Sequence, residues 1–264
     1  MKEITLEQSK EIMLDILKDV ATFCDDNALT YYLTGGTLIG AIRHKGFIPW
    51  DDDIDIAMPR PDYEQFIELY KKKGHFAICA PFDSNSWYVW TKVYDDRTVK
   101  YEGGVDYDRF EPLGIDIDVF PLDGQPDDNQ FKEFEKDTNK RIKLHSCLHF
   151  AIAPYKCLSL KGKIAGLFCR VIGKDYFIKQ YIISSKQRDF YNSEMVGFMT
   201  PYSKTKHHHR KEIFAGKVKV RFEDTEFWAP IGYDEYLTNL YGDYMKLPPV
   251  EKQTTHHRNN VFWK

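Results

Sequence analysis

Apolar positions near the start of this 264-residue chain recur at helical spacing. Met13, Leu17, Val20 and Cys24 mark one face, widened by Ile12, Ile16 and Phe23. Thr5-Leu6-Glu7-Gln8 has the form of a capping box, so the pattern predicts a helix over about residues 6–26. Tyr31-Tyr32-Leu33 then reads as a short strand running into Gly35-Gly36, with a second helix from near Thr37 through Ile42. After the Gly46–Pro49 loop the period drops to two: Ile54, Ile56 and Met58 alternate with Asp53, Asp55 and Ala57. Pro61 suits the first turn of a helix reaching about Lys72. Strands are predicted at 75–80, 87–94, 98–101 and 115–120, separated by turn residues. From Asp127 to about Asn192 the pattern is helical, broken near Pro154 and Gly173. Strands at 196–199 and 218–222 and a short helix at 233–241 complete the reading.

The expected architecture is α+β: a mixed sheet with helices over residues 1–126, then a mainly helical part over 127–264 packed on it. No apolar run approaches the roughly 20 residues that span a bilayer. The N-terminus lacks the apolar core of a signal peptide. Five scattered cysteines, odd in number and without a C-x-x-C pair, suggest reduced thiols and a cytoplasmic location.

The net charge of −3 conceals an asymmetry. Between His145 and Phe222 there are 15 Lys/Arg and 4 Asp/Glu, and the rest of the chain carries 22 and 36. A solvated basic face is one reading; a partner with negative charge, such as an anionic lipid surface, is the other. No groove-reading or base-stacking motif accompanies the charge, so nucleic acid is not expected as a partner. The stretch 155–179 mixes Lys156, Lys161 and Lys163 with Leu158, Ile164, Leu167, Phe168 and Val171. It is too short and too charged to span a membrane. A core role for its apolar residues is the favoured expectation, beside a peripheral contact with an anionic membrane at the inner face.

Candidate chemistry concentrates in Gly35-Gly36-Thr37 and Asp51-Asp52-Asp53-Ile54-Asp55. In a strand, Asp53 and Asp55 share one face while Ile54 and Ile56 enter the core. Two carboxylates on one face repel, and a hard divalent cation resolves that repulsion. A Gly-Gly-Thr turn opening a helix offers N–H groups and a hydroxyl to a phosphate. Ile115-Asp116-Ile117-Asp118-Val119-Phe120 repeats the acidic alternation and would complete a metal site if it pairs nearby. An EF-hand starting at Asp51 would need Gly and Glu where Ile56 and Asp62 stand, and P-loop and Rossmann fingerprints are absent. A solvated acidic turn is the alternative to a site role for Asp51 and Asp52, and for Asp51 it is the expectation. His207-His208-His209 reads as a solvated loop, and His145-x-Cys147-x-His149 is disfavoured for zinc, since positions two apart point to different helix faces.

The run from Leu33 through Asp55, LTGGTLIGAIRHKGFIPWDDDID, closely resembles the signature of the LicD family, which includes bacterial phosphocholine transferases and is related to the fukutin group. The resemblance continues in Ile117–Asp123 and in Tyr241–Pro249. It implies a nucleotidyltransferase-type fold that moves a phospho-alcohol from a CDP-linked donor to a glycan hydroxyl. Gly36 and Thr37 match the phosphate-binding turn. Asp53, Asp55 and Asp118 match the metal-binding and catalytic carboxylates, which would take Mg2+ or Mn2+. Asp116 has no assigned role. Lys92 matches a family lysine and would neutralise donor phosphate, and Arg43 and His44 lie in the signature loop. Choline is a quaternary ammonium best held by aromatic faces, and Tyr88 and Trp90, on the face of Lys92, are the candidates. Trp50, Trp228 and Tyr233 are further aromatics of interest, and either His256 or His257 would reach the active site. The expected reaction is transfer of phosphocholine from CDP-choline to a lipid-linked glycan or teichoic acid precursor, with release of CMP. The rivals are a different head group (phosphoethanolamine, an aminophosphonate or a polyol phosphate) and a catalytically silent glycan- or nucleotide-binding module.

Overall fold

A computed structural model describes residues 1–72, 74–198, 206–255 and 260–264. Helix α1 (Leu6–Asp26) begins at the predicted capping box: Gln8 N donates to Thr5 Oγ1 and Thr5 N donates to Gln8 Oε1, at 3.3 and 3.1 Å. Its buried face is Ile12, Met13, Ile16, Leu17, Val20, Ala21 and Cys24, the stripe that the 3.6-residue period marks out.

The main sheet takes in β1 (Tyr32–Leu33), β2 (Asp55–Pro59), β3 (Phe76–Cys79), β4 (Thr91–Asp95) and the long β6 (Asp116–Gln125). Their spatial order is β1-β2-β6-β4-β3, and only the β2–β6 pair is parallel. Helices α2 (Gly35–Ile39) and α3 (Arg60–Leu69) flank β2 in the chain, and a π-turn over Gly40–His44 follows α2. The five-strand path is mixed, as expected for an α+β fold. The strand predicted at 87–94 begins only at Thr91, because residues 87–90 pack as an aromatic run outside the ladder.

Helices α4 (Phe131–Ile152), α5 (Leu160–Ile172) and α6 (Lys174–Ser185) form the helical layer, with breaks where Pro154 and Gly173 predict them. The chain then returns to the sheet. Strand β7 (Met195–Phe198) pairs with the end of β6, and β8 (His209–Arg210) pairs with β7. A hairpin of β9 (Lys217–Phe222) and β10 (Thr225–Pro230) follows, then α7 (Tyr233–Tyr241). The last strand, β11 (Asn260–Trp263), pairs with β5 (Thr98–Tyr101). Met199, at the end of a predicted strand, and His256 and His257 lie outside the described residues.

Two expectations fail here for identifiable reasons. The apolar residues of α5 are not core: Ile164, Leu167, Phe168 and Val171 are 58–80 % exposed. The helix packs instead through its small residues Gly162, Gly166 and Cys169. The triple histidine is not a solvated loop. His209 is buried in β8, and His208 stacks on Phe134 with ring centroids 4.5 Å apart. His208 Nδ1 lies 2.7 Å from Gln125 Oε1, and the His207 ring lies 4.7 Å from that of Phe198. Burial holds His209 neutral, its pKa pushed down to about 4.

Candidate active site

Register assembles the site. Asp55 on β2 faces Asp118 on β6, and Asp118 in turn faces Lys92 on β4. Three neighbouring strands therefore present Asp55, Asp118 and Lys92 in one row, each at a position the period-two alternation assigns to the same face. The row floors a cavity of about 1000 Å3 whose wall includes Asp53, Tyr88, Trp90, Phe120 and Tyr241. That volume stands at the upper end of ordinary small-molecule sites, enough for a nucleotide with an attached head group.

The carboxylates are unevenly compensated. Lys92 Nζ lies 2.8 Å from Asp116 Oδ1, 2.5 Å from Asp118 Oδ1 and 3.9 Å from Glu102 Oε1. Lys100 pairs with Asp116 and, at 3.1 Å, with Glu102. Against the cost of burial, Lys100 and Lys92 pull Glu102 down to about 2. At the Asp55 end the dominant neighbours are acids. Burial raises the Asp55 pKa well above its usual range, and Asp53, Asp118 and Asp51 raise it further, with Lys92 opposing. Burial raises Asp118 as well, with Lys92 opposing.

Asp51 corrects the expectation of a solvated turn. Its N–H donates to Ile48 O at 3.0 Å, which turns the chain inward, and Lys10 of α1 fixes the same loop by donating to Ile48 O and Pro49 O. The carboxylate is 7 % exposed and lies against Gly36, where a Cβ would stand 2.7 Å from Asp51 Oδ2. Burial and the neighbouring Asp53 push its pKa up to about 7. Asp51, Asp52 and Asp53 bring ligand oxygens within 4.8 Å of one another, the only such cluster of metal-ligating side chains among the described residues.

The signature turn supports this floor from beneath. Gly35 has a positive φ of 55°, and a Cβ there would stand 3.2 Å from Asp55 Oδ2. Gly35 and Thr34 line the cavity, whereas Gly36 and Thr37 do not. Thr37 is buried, and its Oγ1 accepts from Asp55 N at 2.9 Å, so the hydroxyl fixes the backbone of a site carboxylate. Arg43 lies off the cavity and donates to Tyr244 O and Lys246 O at 2.5 and 3.2 Å, tying the signature loop to the C-terminal matching segment. His44 meets Trp50 edge-on.

Tyr88 and Trp90 stand together on the wall, ring centroids 5.5 Å apart, and Trp90 continues to Phe120 at 5.2 Å. Tyr88 OH donates to Glu102 at 2.5 Å, and Lys92 Nζ sits 4.5 Å from its ring centroid. Trp228 is elsewhere, beside Lys217 and Lys219 of the hairpin, and neither Trp50 nor Tyr233 lines the cavity.

Several cavity residues are not assigned to the site by the sequence. Lys100, Glu102, His145, His149, His207 and Tyr241 all line it. His145 and His149 are four apart on α4 and so share a face, a signal available from the sequence. Cys147 between them meets the Cys169 thiol of α5 instead, both remaining free thiols. Burial and His149 push His145 down to about 4.

The donor set is all oxygen, it is crowded with negative charge, and Asp53, Asp55 and Asp118 share one cavity, with Asp53 common to this set and to the tighter Asp51–Asp53 cluster. These features fit a hard divalent cation.

Comparisons with known proteins agree in direction. Residues 28–162 match the family described as LicD/FKTN/FKRP, nucleotidyltransferase domain. The chain is 33 % identical over 278 aligned positions to the lipopolysaccharide cholinephosphotransferase LicD of Haemophilus influenzae, covering 99 % of both chains. Uncharacterized proteins of Rickettsia typhi and Rickettsia prowazekii are 33 % and 32 % identical over 79 residues, which is 28 % of this chain.

Proposed function

The chain belongs to the LicD family, and from that premise we propose that it transfers phosphocholine from CDP-choline to a hydroxyl of a cell-surface glycan precursor, releasing CMP. The observation that carries this reading is one cavity that joins the Asp53–Asp55–Asp118 floor to the Tyr88–Trp90 wall, in a chain similar along its whole length to a cholinephosphotransferase. The floor suits a diphosphate with its cation, and the wall suits a quaternary ammonium, which donates no N–H hydrogen bond and is attracted to aromatic faces.

Asp53, Asp55 and Asp118 would hold Mg2+, which supplies neutralisation of charge on the donor diphosphate. The chain's own residues do the rest. Lys92 holds Asp118 Oδ1, leaving Oδ2 as our candidate to accept the proton of the acceptor hydroxyl. Burial raises the Asp118 carboxyl above its ordinary value, with Lys92 opposing, which makes it a better proton acceptor. The hydroxyl oxygen forms the new bond to the phosphorus bearing choline. The bond from that phosphorus to the bridging oxygen breaks, and CMP departs with the electron pair. Tyr88 and Trp90 orient the head group, while Thr37 and Gly35 fix the backbone around Asp55.

The acceptor is proposed as a lipid-linked glycan such as a teichoic acid precursor. The relative's name specifies lipopolysaccharide, so both acceptors belong in the assay. The test is CMP release from CDP-choline in the presence of Mg2+ and each acceptor, beside CDP-ethanolamine and a CDP-polyol. Choline-dependent release with phosphocholine recovered on the glycan supports the reading. Faster turnover of another CDP-alcohol would transfer the proposal to that head group.

A further inference from the structure

Helix α5 exposes the residues that a helix ordinarily buries. Leu160, Ile164, Leu167, Phe168, Val171 and Ile172 are 52–80 % exposed. At 100° per residue the first five fall on one face. The opposite face carries Gly162, Gly166 and Cys169, all buried, and it lets α5 lie close against α4, where a Cβ on Gly162 would stand 3.4 Å from Phe150. Lys161 and Lys163 fall on the two borders of the apolar face. Ser159 caps the helix, its side chain accepting from Gly162 N at 3.2 Å, so the apolar face is presented on a defined helix.

Charge selects the occupant. From Thr138 to Lys174 the chain contains eight Lys/Arg and no Asp or Glu, although its overall balance is negative. Arg141 is buried and Arg170 and Lys174 pair with Asp106 and Asp175, so Lys156, Lys161 and Lys163 are the cations that rim the apolar face. A protein partner would need a complementary apolar surface of its own. A bilayer interface needs only an apolar face rimmed by cations, and an anionic leaflet complements that rim. No helix among the described residues is long and apolar enough to cross a membrane, so contact through α5 would be peripheral.

We propose that α5 docks the protein on an anionic membrane, with Leu160, Ile164, Leu167, Phe168 and Val171 entering the headgroup–acyl boundary and Lys156, Lys161 and Lys163 meeting lipid phosphates. α4, on which α5 packs, supplies His145, Leu148, His149 and Ile152 to the cavity. Only α4 then stands between the docked helix and the cavity. An acceptor carried on a lipid would reach it without leaving the membrane.

The test is co-sedimentation of the full chain with vesicles of phosphatidylcholine alone or with an increasing share of phosphatidylglycerol, at low and high salt. It requires no turnover, so it stands or falls separately from the proposed reaction. Binding should rise with phosphatidylglycerol and fall with salt. Replacing Lys156, Lys161 and Lys163 together by Gln should weaken it about fivefold per lysine, on the order of 100-fold in all. Leu167→Ser with Phe168→Ser should weaken it at least about tenfold. Both sets of side chains are exposed enough for the fold to survive, which circular dichroism checks. Absence of binding to phosphatidylglycerol vesicles at low salt would overturn the proposal, as would unchanged binding by the serine variant. A lipid-independent dimer that the serine changes dissociate would also overturn it, assigning the face to a second copy of the chain.

Discussion

Two acidic sites on the same strand, β6, are built on opposite principles. Asp123 is 1 % exposed and meets Arg60 in a two-pronged pair, with both N–O distances 2.7 Å. Asp118, five residues earlier, faces Asp55 in the β2–β6 register, and Asp53 and Asp51 add negative charge at Asp55. The first carboxylate has its counter-ion supplied by the fold, from α3. The second is left among acids with one lysine shared between Asp116 and Asp118. A buried charge paired in place is costly to break, because removing one partner strands the other without a counter-ion. Carboxylates held together against their repulsion cost stability and store affinity for a cation that arrives from outside.

The largest contrast is expected in activity. Asp53→Asn should bring transfer down by at least about a thousandfold, the scale of losing a principal charge-stabilising group, and Asp118→Asn should be similarly severe. Normal turnover in Asp53→Asn would remove it from the site. Asp51→Asn, given the burial of that side chain, should also be damaging. For Asp123→Asn the effect should appear in stability, because Arg60 is left as an unpaired buried cation. A loss of about 3–5 kcal/mol by chemical denaturation is expected, and a loss near zero would erase the distinction between the two sites.

Cation linkage gives the next contrast. Mg2+ added to chelated protein should raise the melting temperature of the wild type and leave Asp53→Asn nearly unchanged. An equal rise in both would locate the ion elsewhere.

The pH dependence sharpens this further. Asp51 is pushed up to about 7 in the folded protein, above its ordinary value of 3.8. The folded state therefore binds that proton more tightly than the unfolded state. Its contribution to stability is fully present below the unfolded value and is lost as pH rises through about 7. Metal-free wild type should lose stability relative to Asp51→Asn between about pH 4 and about pH 8, read from denaturation midpoints. A parallel pH profile for the two proteins would contradict the assigned burial.

The smallest effect concerns the wall. Trp90→Ala or Tyr88→Ala should weaken CDP-choline relative to CMP by about 0.5–2 kcal/mol in calorimetry. Equal weakening of both ligands would assign these rings to packing.

Local features of this fold are legible in the sequence, and long-range ones only in part. The capping box and stripe of α1, and the Pro154 and Gly173 breaks, are written within a few residues and appear as expected. The alternation around Asp53 and Asp55 predicts a shared face. It does not predict that a strand some sixty residues later aligns Asp118 with Asp55, which is a matter of tertiary register. Lys100 and Glu102 follow the same rule: β5 reaches the site through its place in the fold, without a motif of its own. Asp51 reads as solvated because a run of three acids among turn residues resembles a solvated loop, while the space beside Gly36 that accepts it exists only after folding. The face of α5 was misassigned because periodicity shows that one side is apolar and says nothing of which side turns inward. The small residues Gly162 and Gly166 on the opposite side were the available clue.

The account turns on Asp55, whose repulsion with its neighbours should serve chemistry and burden the fold. Transfer activity with Mg2+ and melting temperature in chelator, measured on one preparation of Asp55→Asn, address both halves together. Activity at background with a melting temperature equal to or above that of wild type is the expected result. Retained turnover, or a loss of stability as large as that of Asp123→Asn, would contradict it.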